Sequence, residues 1–118
     1  MKNYKTKNFF ESVKYGFVGL FKMCKERNIK IYFGITAVFS ILNILNKSNK
    51  AEWAIFIFLC FAAYATETIN TAIEIIVDKL EPNKNVNAKN AKDLGAAAVL
   101  FCGFAFFICE GIILLWLI

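Results

Sequence analysis

The chain has no histidine, one proline and six glycines among its 118 residues. Without histidine, any general base must be a carboxylate, a lysine, a tyrosine or a cysteine. The glycines form neither of the standard phosphate-cradling loops, so a nucleotide would have to be held by other means. The four cysteines (Cys24, Cys60, Cys102 and Cys109) include no C-x-x-C pair and sit in apolar or amphipathic surroundings. They read as small hydrophobic fillers, not as metal ligands or a disulfide framework. Charge is also scarce, at 19% of residues against 58% hydrophobic, which is too apolar for an ordinary soluble fold of this size. The net charge of +5 could suggest nucleic acid, but the basic residues flank apolar runs and do not pave one face. Flanks of that kind mark the cytoplasmic edges of membrane spans.

What is present is helical and apolar. Residues 1–7 are polar and basic. Over residues 8–25, Phe10, Val13, Phe17, Leu20, Phe21 and Cys24 mark one face, and Lys7, Glu11, Lys14, Lys22 and Lys25 the other. A basic amphipathic helix this rich in phenylalanine suits the membrane surface; the other reading is a helix packed on its own protein. A charged connection at residues 26–30 precedes a first span over about residues 29–46. The stretch has neither the short charged start nor the cleavage site of a signal peptide. A polar turn follows, in which Asn49 and Glu52 have the spacing of a capping box. Trp53 is an expected interface anchor for a second span over about residues 53–73, whose helix continues until Pro82 stops it. A third helix is expected to start between Asn87 and Ala91, with its span over about residues 94–117. Gly95, Ala96, Ala97, Ala98 and Gly103 would let it pack closely. The expected fold class is therefore an all-α membrane protein, in one domain, with an amphipathic surface helix and three transmembrane helices.

Three spans put the termini on opposite sides. Eight of the 14 Lys and Arg precede Ile31, four lie at residues 79–92 and two in the turn at 46–52. Twelve against two puts the N-terminus in the cytoplasm and the C-terminus outside, as expected for a bacterial cell-membrane protein.

The second span acquires acids near its inner end. Glu67, Asn70, Glu74 and Asp78 recur at spacings of three, four and four, which aligns them in one helical stripe. With Trp53 at the outer interface, Glu67 lies about 21 Å along the helix, still inside a core of about 30 Å. Glu74 falls near the inner edge and Asp78 beyond it. Acids at that depth are a functional hypothesis by default. Glu67 and Glu74 are about 10 Å apart along the axis, too far to chelate one ion together. A divalent ion at Glu74 would need a ligand from elsewhere, and Glu26, at the same membrane face, is the candidate. Mg²⁺ accepts two carboxylates and keeps places for water or phosphate. Lys92 and Asp93 sit at the inner end of the third helix, where Lys92 can offset phosphate charge. Three spans cannot shield Glu67 from lipid, so a homo-oligomer is expected. Asp78 and Glu81 could instead be an ordinary cytosolic extension paired with Lys79. Glu110, an acid in the outer third of the last helix, fits no part of this scheme.

Glu67-x-x-Asn70-x-Ala72-Ile73-Glu74-x-x-x-Asp78, followed by Ala91-Lys92-Asp93-x-Gly95-x-Ala97-Ala98-Val99, resembles the prokaryotic diacylglycerol kinase family, which includes undecaprenol kinase. The resemblance covers almost the whole chain. It implies a small homotrimeric membrane kinase that uses Mg²⁺ and ATP to phosphorylate a lipid hydroxyl at the cytoplasmic face. It implies Glu67 as general base, Glu74 and Glu26 as metal ligands that hold the ATP phosphates, and Lys92, Asp93 and Tyr15 as nucleotide contacts. Asp78 closes the same stripe on the ATP side, and Asn70 matches the polar residue between base and metal. The chain departs from the family in two ways: the N-terminal helix lacks an expected Arg, and the stretch from Gly19 to Glu26 is one residue shorter. Glu26-Arg27-Asn28 resembles Gram-positive members, many of which prefer undecaprenol, and Ala96 replaces a Ser of the enterobacterial diacylglycerol enzyme. Both lean toward undecaprenol, with diacylglycerol as the alternative. Two other classes compete. A proton-coupled transporter would titrate Glu67 but has no need of Glu26, Glu74, Lys92 and Asp93 at one face. A non-catalytic scaffold would tolerate loss of these acids one at a time.

Overall fold

The computed structural model describes residues 5, 7–80, 83 and 85–117, without the side chains of residues 80, 116 and 117. Glu81 and Pro82, expected to end the helix of the second span, lie outside the described residues. The described chain is helical, with no strand.

Helix α1 spans Phe9–Cys24. Asn8 caps it, accepting from the Glu11 amide at 2.9 Å, and Glu11 accepts in turn from the Lys7 amide at 3.0 Å. No residue of α1 is buried, and Phe9, Phe10, Phe17, Leu20 and Phe21 all stand exposed. The apolar face is therefore not buried against this chain, as a helix lying on a membrane surface would present it.

Helix α2 (Arg27–Leu45) follows after only Lys25 and Glu26. The expected connection at residues 26–30 is thus mostly helix. Glu26 is extended (φ −74°, ψ 138°) and serves as the N-cap, and its carbonyl accepts from the Lys30 amide, so the helix can begin at Arg27. The turn into helix α3 puts Lys47 at φ 55°, in the left-handed region. The capping box forms as the spacing predicts: Glu52 N donates to Asn49 Oδ1 at 2.9 Å, and Asn49 N to Glu52 Oε1 at 3.0 Å. It starts α3 (Lys50–Ile75) three residues before Trp53. Beyond Ile75 the helix widens into a π-helical turn, Ile76–Leu80. Helix α4 (Val86–Ile113) is capped by Asn85, which accepts from the Ala88 amide at 2.8 Å, so it begins slightly before the expected start. A 3₁₀ turn, Leu114–Leu117, closes the described chain.

Helices α2, α3 and α4 are each long and apolar enough to cross a membrane. The main pairing is α3 with α4, and α2 packs beside α3. Phe56, Cys60 and Phe106 form the buried core, with Phe39 edge-on to Phe106 at 5.0 Å between ring centroids. Cys60 is the hydrophobic filler expected. Cys24 is not, because it is exposed on α1. Gly95 sits at the α3–α4 contact, where a Cβ would come within 2.5 Å of Asn70 Oδ1. Gly103 does not play the expected packing role, since a Cβ there would meet nothing within 4 Å. Ala96 is likewise exposed.

Candidate active site

Helix α3 carries the stripe, and its neighbours decide what each member does. Glu67 is 4% exposed. Both of its oxygens are occupied: Asn28 Nδ2 donates to Oε1 at 3.0 Å, and the Tyr32 hydroxyl to Oε2 at 3.4 Å. Asn28 and Tyr32 are one helical turn apart on α2 and so present one face to α3. A buried carboxylate is tolerated where donors meet it, and here two donors also fix its orientation. The sequence reading missed both. It placed Asn28 in a connection and gave Tyr32 no part, although their i, i+4 spacing at the start of an apolar helix was the available signal.

One turn inward, Asn70 is 7% exposed. Its Nδ2 donates to Glu74 Oε1 at 3.3 Å, while its Oδ1 is buried without a partner. Glu74 itself is exposed. Asp78 lies in the π-helical turn and accepts from Lys92 Nζ at 2.9 Å, an ion pair whose side chains are 46% and 40% exposed. The alternative partner considered for Asp78, Lys79, gives way to Lys92 on α4. Asp93 pairs with Lys89 at 2.7 Å, along α4 and away from the stripe. Tyr15 donates to Glu11 Oε1 at 3.2 Å on α1. Glu26 is exposed at the N-cap of α2.

The fold therefore joins Asn70 to Glu74 and Asp78 to Lys92, and adds Asn28 and Tyr32 to Glu67. Among the described residues, no three acids or cysteines stand close enough together to hold a metal ion, and neither Glu26 nor Glu74 is in a salt bridge. Two carboxylates with acceptor capacity to spare do suit Mg²⁺, provided that phosphate and water complete its shell.

Glu110 is fully buried, and so is Asn43, whose Nδ2 donates to Glu110 Oε2 at 2.7 Å. Ser48 donates to Asn43 Oδ1 at 2.7 Å, and Asn46 reaches both Ser48 and the Ile113 carbonyl. The outlying acid thus belongs to a polar layer that ties the α2–α3 turn to α4, at the end of the bundle opposite Asp78 and Lys92.

A family model described as prokaryotic diacylglycerol kinase matches residues 14–114. A curated diacylglycerol kinase from a Sinorhizobium species is 58% identical over 36 residues, covering 30% of this chain and 26% of that one. The match thus spans about a quarter of that relative's length. No solved structure matches the chain.

Proposed function

The chain belongs to the prokaryotic diacylglycerol kinase family, and from that premise we propose that it is an ATP-dependent membrane-lipid kinase. It acts at the cytoplasmic face of a bacterial cell membrane, with its N-terminus inside, its C-terminus outside and undecaprenol as the favoured acceptor. The observation that carries this reading is Glu67, a buried carboxylate held by two donors on a helix long enough to span a bilayer. A lipid hydroxyl brought to Glu67 gives its proton to the carboxylate as its oxygen attacks the γ-phosphorus of ATP. The bond from that phosphorus to the bridging oxygen breaks, and the products are a phosphorylated lipid and ADP.

Tyr15, Glu26, Glu74, Asp78, Lys92 and Asp93 make up the nucleotide side of the site, and Ala96 joins Glu67 on the lipid side. Asn70 orients Glu74 through its amide. Glu26 and Glu74 would hold Mg²⁺, which when bound neutralises charge on the phosphates. Lys92 offers its ammonium to the same phosphates in exchange for Asp78. The working form is a homotrimer, the assembly that the family resemblance implies; the thinness of one chain, 21 Å across its shortest axis, supports association without setting the number of copies. The mass of the detergent-solubilised particle checks the copy number. Diacylglycerol is the second acceptor to weigh, on the printed name of the Sinorhizobium relative.

The deciding experiment offers undecaprenol and diacylglycerol side by side in mixed micelles with labelled ATP and Mg²⁺. Label should pass to undecaprenol in preference, and Glu67→Gln should abolish transfer while ATP binding is retained. Transfer to diacylglycerol alone would reverse the acceptor order. Transfer to neither lipid from a folded particle would sink the kinase reading.

A further inference from the structure

Glu110 has no part in the kinase reading, yet it is fully buried, at 0% exposure. Its two oxygens are met differently. Oε2 accepts from Asn43 Nδ2 at 2.7 Å, while Oε1, equally shielded, meets no donor. The Asn43 amide is locked in this orientation. Its Nδ2 also donates to the Phe39 carbonyl at 2.9 Å, and its Oδ1 accepts from the Ser48 hydroxyl at 2.7 Å. A flipped amide would set oxygen against the Phe39 carbonyl, which has no proton to give. Oε2 is therefore an acceptor, and a proton on Glu110 belongs on Oε1.

The surroundings supply no countercharge. Among the described residues, no ion pair reaches Glu110. Helix α2 offers it Asn43, which is uncharged. Helix α3 offers Glu52 and Cys60, both of which ionise to anions. Its own helix carries no other charged residue after Asp93. Lys47 and Lys50, at the α2–α3 turn, are exposed. Glu67 is the contrast, since donors meet both of its oxygens. An ionised carboxylate buried with one donor and no cation costs far more than a neutral acid with one hydroxyl unmet.

The same layer holds the turn. The Ser48 amide donates to the Asn43 carbonyl at 3.1 Å, and Asn46 Nδ2 to the Ile113 carbonyl at 3.3 Å. Between them Lys47 is held at φ 55°, a conformation that strains a residue with a side chain. Glu110 stands three residues before the end of α4, and Asn43 two before the end of α2. Both are within about one helical turn of their helix ends, so a small opening admits water.

We propose that Glu110 is a proton-binding site at the outer end of the bundle, and that the turn stays closed on α4 only while Glu110 carries its proton. When the turn opens, the Oε1–H bond breaks, the proton passes to the outer water and the anion stays solvated. The closed state binds one proton more than the open state. Rising pH therefore favours opening, by about tenfold per pH unit above the ordinary range of a free glutamate. The device stands apart from the kinase reading, because it lies at the end opposite Asp78 and Lys92.

Two measurements on the full-length protein in detergent micelles test this. Infrared difference spectra of the wild type against Glu110→Gln at neutral pH should show the carbonyl stretch of a protonated carboxylic acid. The antisymmetric stretch of a carboxylate in its place would overturn the proposal. Hydrogen exchange of peptides covering residues 46–48, corrected for the intrinsic rate at each pH, should lose about tenfold in protection per unit between about pH 5 and 7. In Glu110→Gln, which keeps an acceptor for Asn43 and replaces the hydroxyl by an amide N–H, protection should not change with pH. A wild type without the slope, or the same slope in Glu110→Gln, would overturn the proposal. The wild-type slope is read without any variant, so it decides the matter even where Glu110→Gln does not fold.

Discussion

Asn70 is the polar side chain with least room near the acids. One end of its amide donates to Glu74, and the other faces Gly95, where a Cβ would intrude to 2.5 Å. Gly95 is what lets Asn70 point where it does. Gly95→Ala should push the amide off Glu74 and raise the KM for Mg-ATP several-fold while leaving the lipid KM alone. Overpacking of this kind costs about 1–3 kcal/mol, read by thermal unfolding in detergent. Adding Asn70→Ala should recover the stability but not the nucleotide KM; recovery of both would show that Asn70 does not orient Glu74. The stripe itself was legible in the sequence, because helical spacing is local information. The partners of Glu67 were not. Asn28 and Tyr32 stand 39 and 35 residues away, and no local period links them to it.

The same divide separates the element ends from the contacts between elements. The Asn49–Glu52 box was readable because cap and partner lie three residues apart. Helix starts were misjudged by a few residues where a cap was not recognised, as with Glu26 before α2 and Asn85 before α4. The tie between α2 and α4 was invisible, since Asn43 and Glu110 are 67 residues apart and Asn43 stood in an otherwise apolar run. Asn43→Ala removes the donor from a carboxylate that has no solvent and whose other oxygen has no partner. Leaving a buried polar group in that state costs about 1–3 kcal/mol or more. Thermal unfolding should show that loss, and Asn43→Leu with Glu110→Leu together should return most of it. An unshifted Asn43→Ala would mean that the layer adds nothing.

For the whole molecule, extents of 56 × 38 × 21 Å describe a slab that exposes apolar side chains along α2, α3 and α4. The all-helical, three-span plan was legible because hydrophobic runs of this length admit few other folds. Orientation rests on charge counting, and Cys24 offers a check on it. It is the exposed cysteine, with Cys60 buried and Cys102 and Cys109 between. A membrane-impermeant maleimide should label it in inside-out vesicles and not in right-side-out ones; the opposite pattern would invert the topology. The slab is also held by two unlike kinds of joint. The clamp on Glu67 joins a carboxylate that is 4% exposed to Asn28 at the bundle's edge and half-buried Tyr32. The Asp78–Lys92 pair, with both side chains more than a third exposed, sits in the ionic medium and is screened by it. The Asp78–Lys92 end of the bundle is therefore a joint that rising salt loosens, while the buried carboxylate a few turns away is less open to that screening.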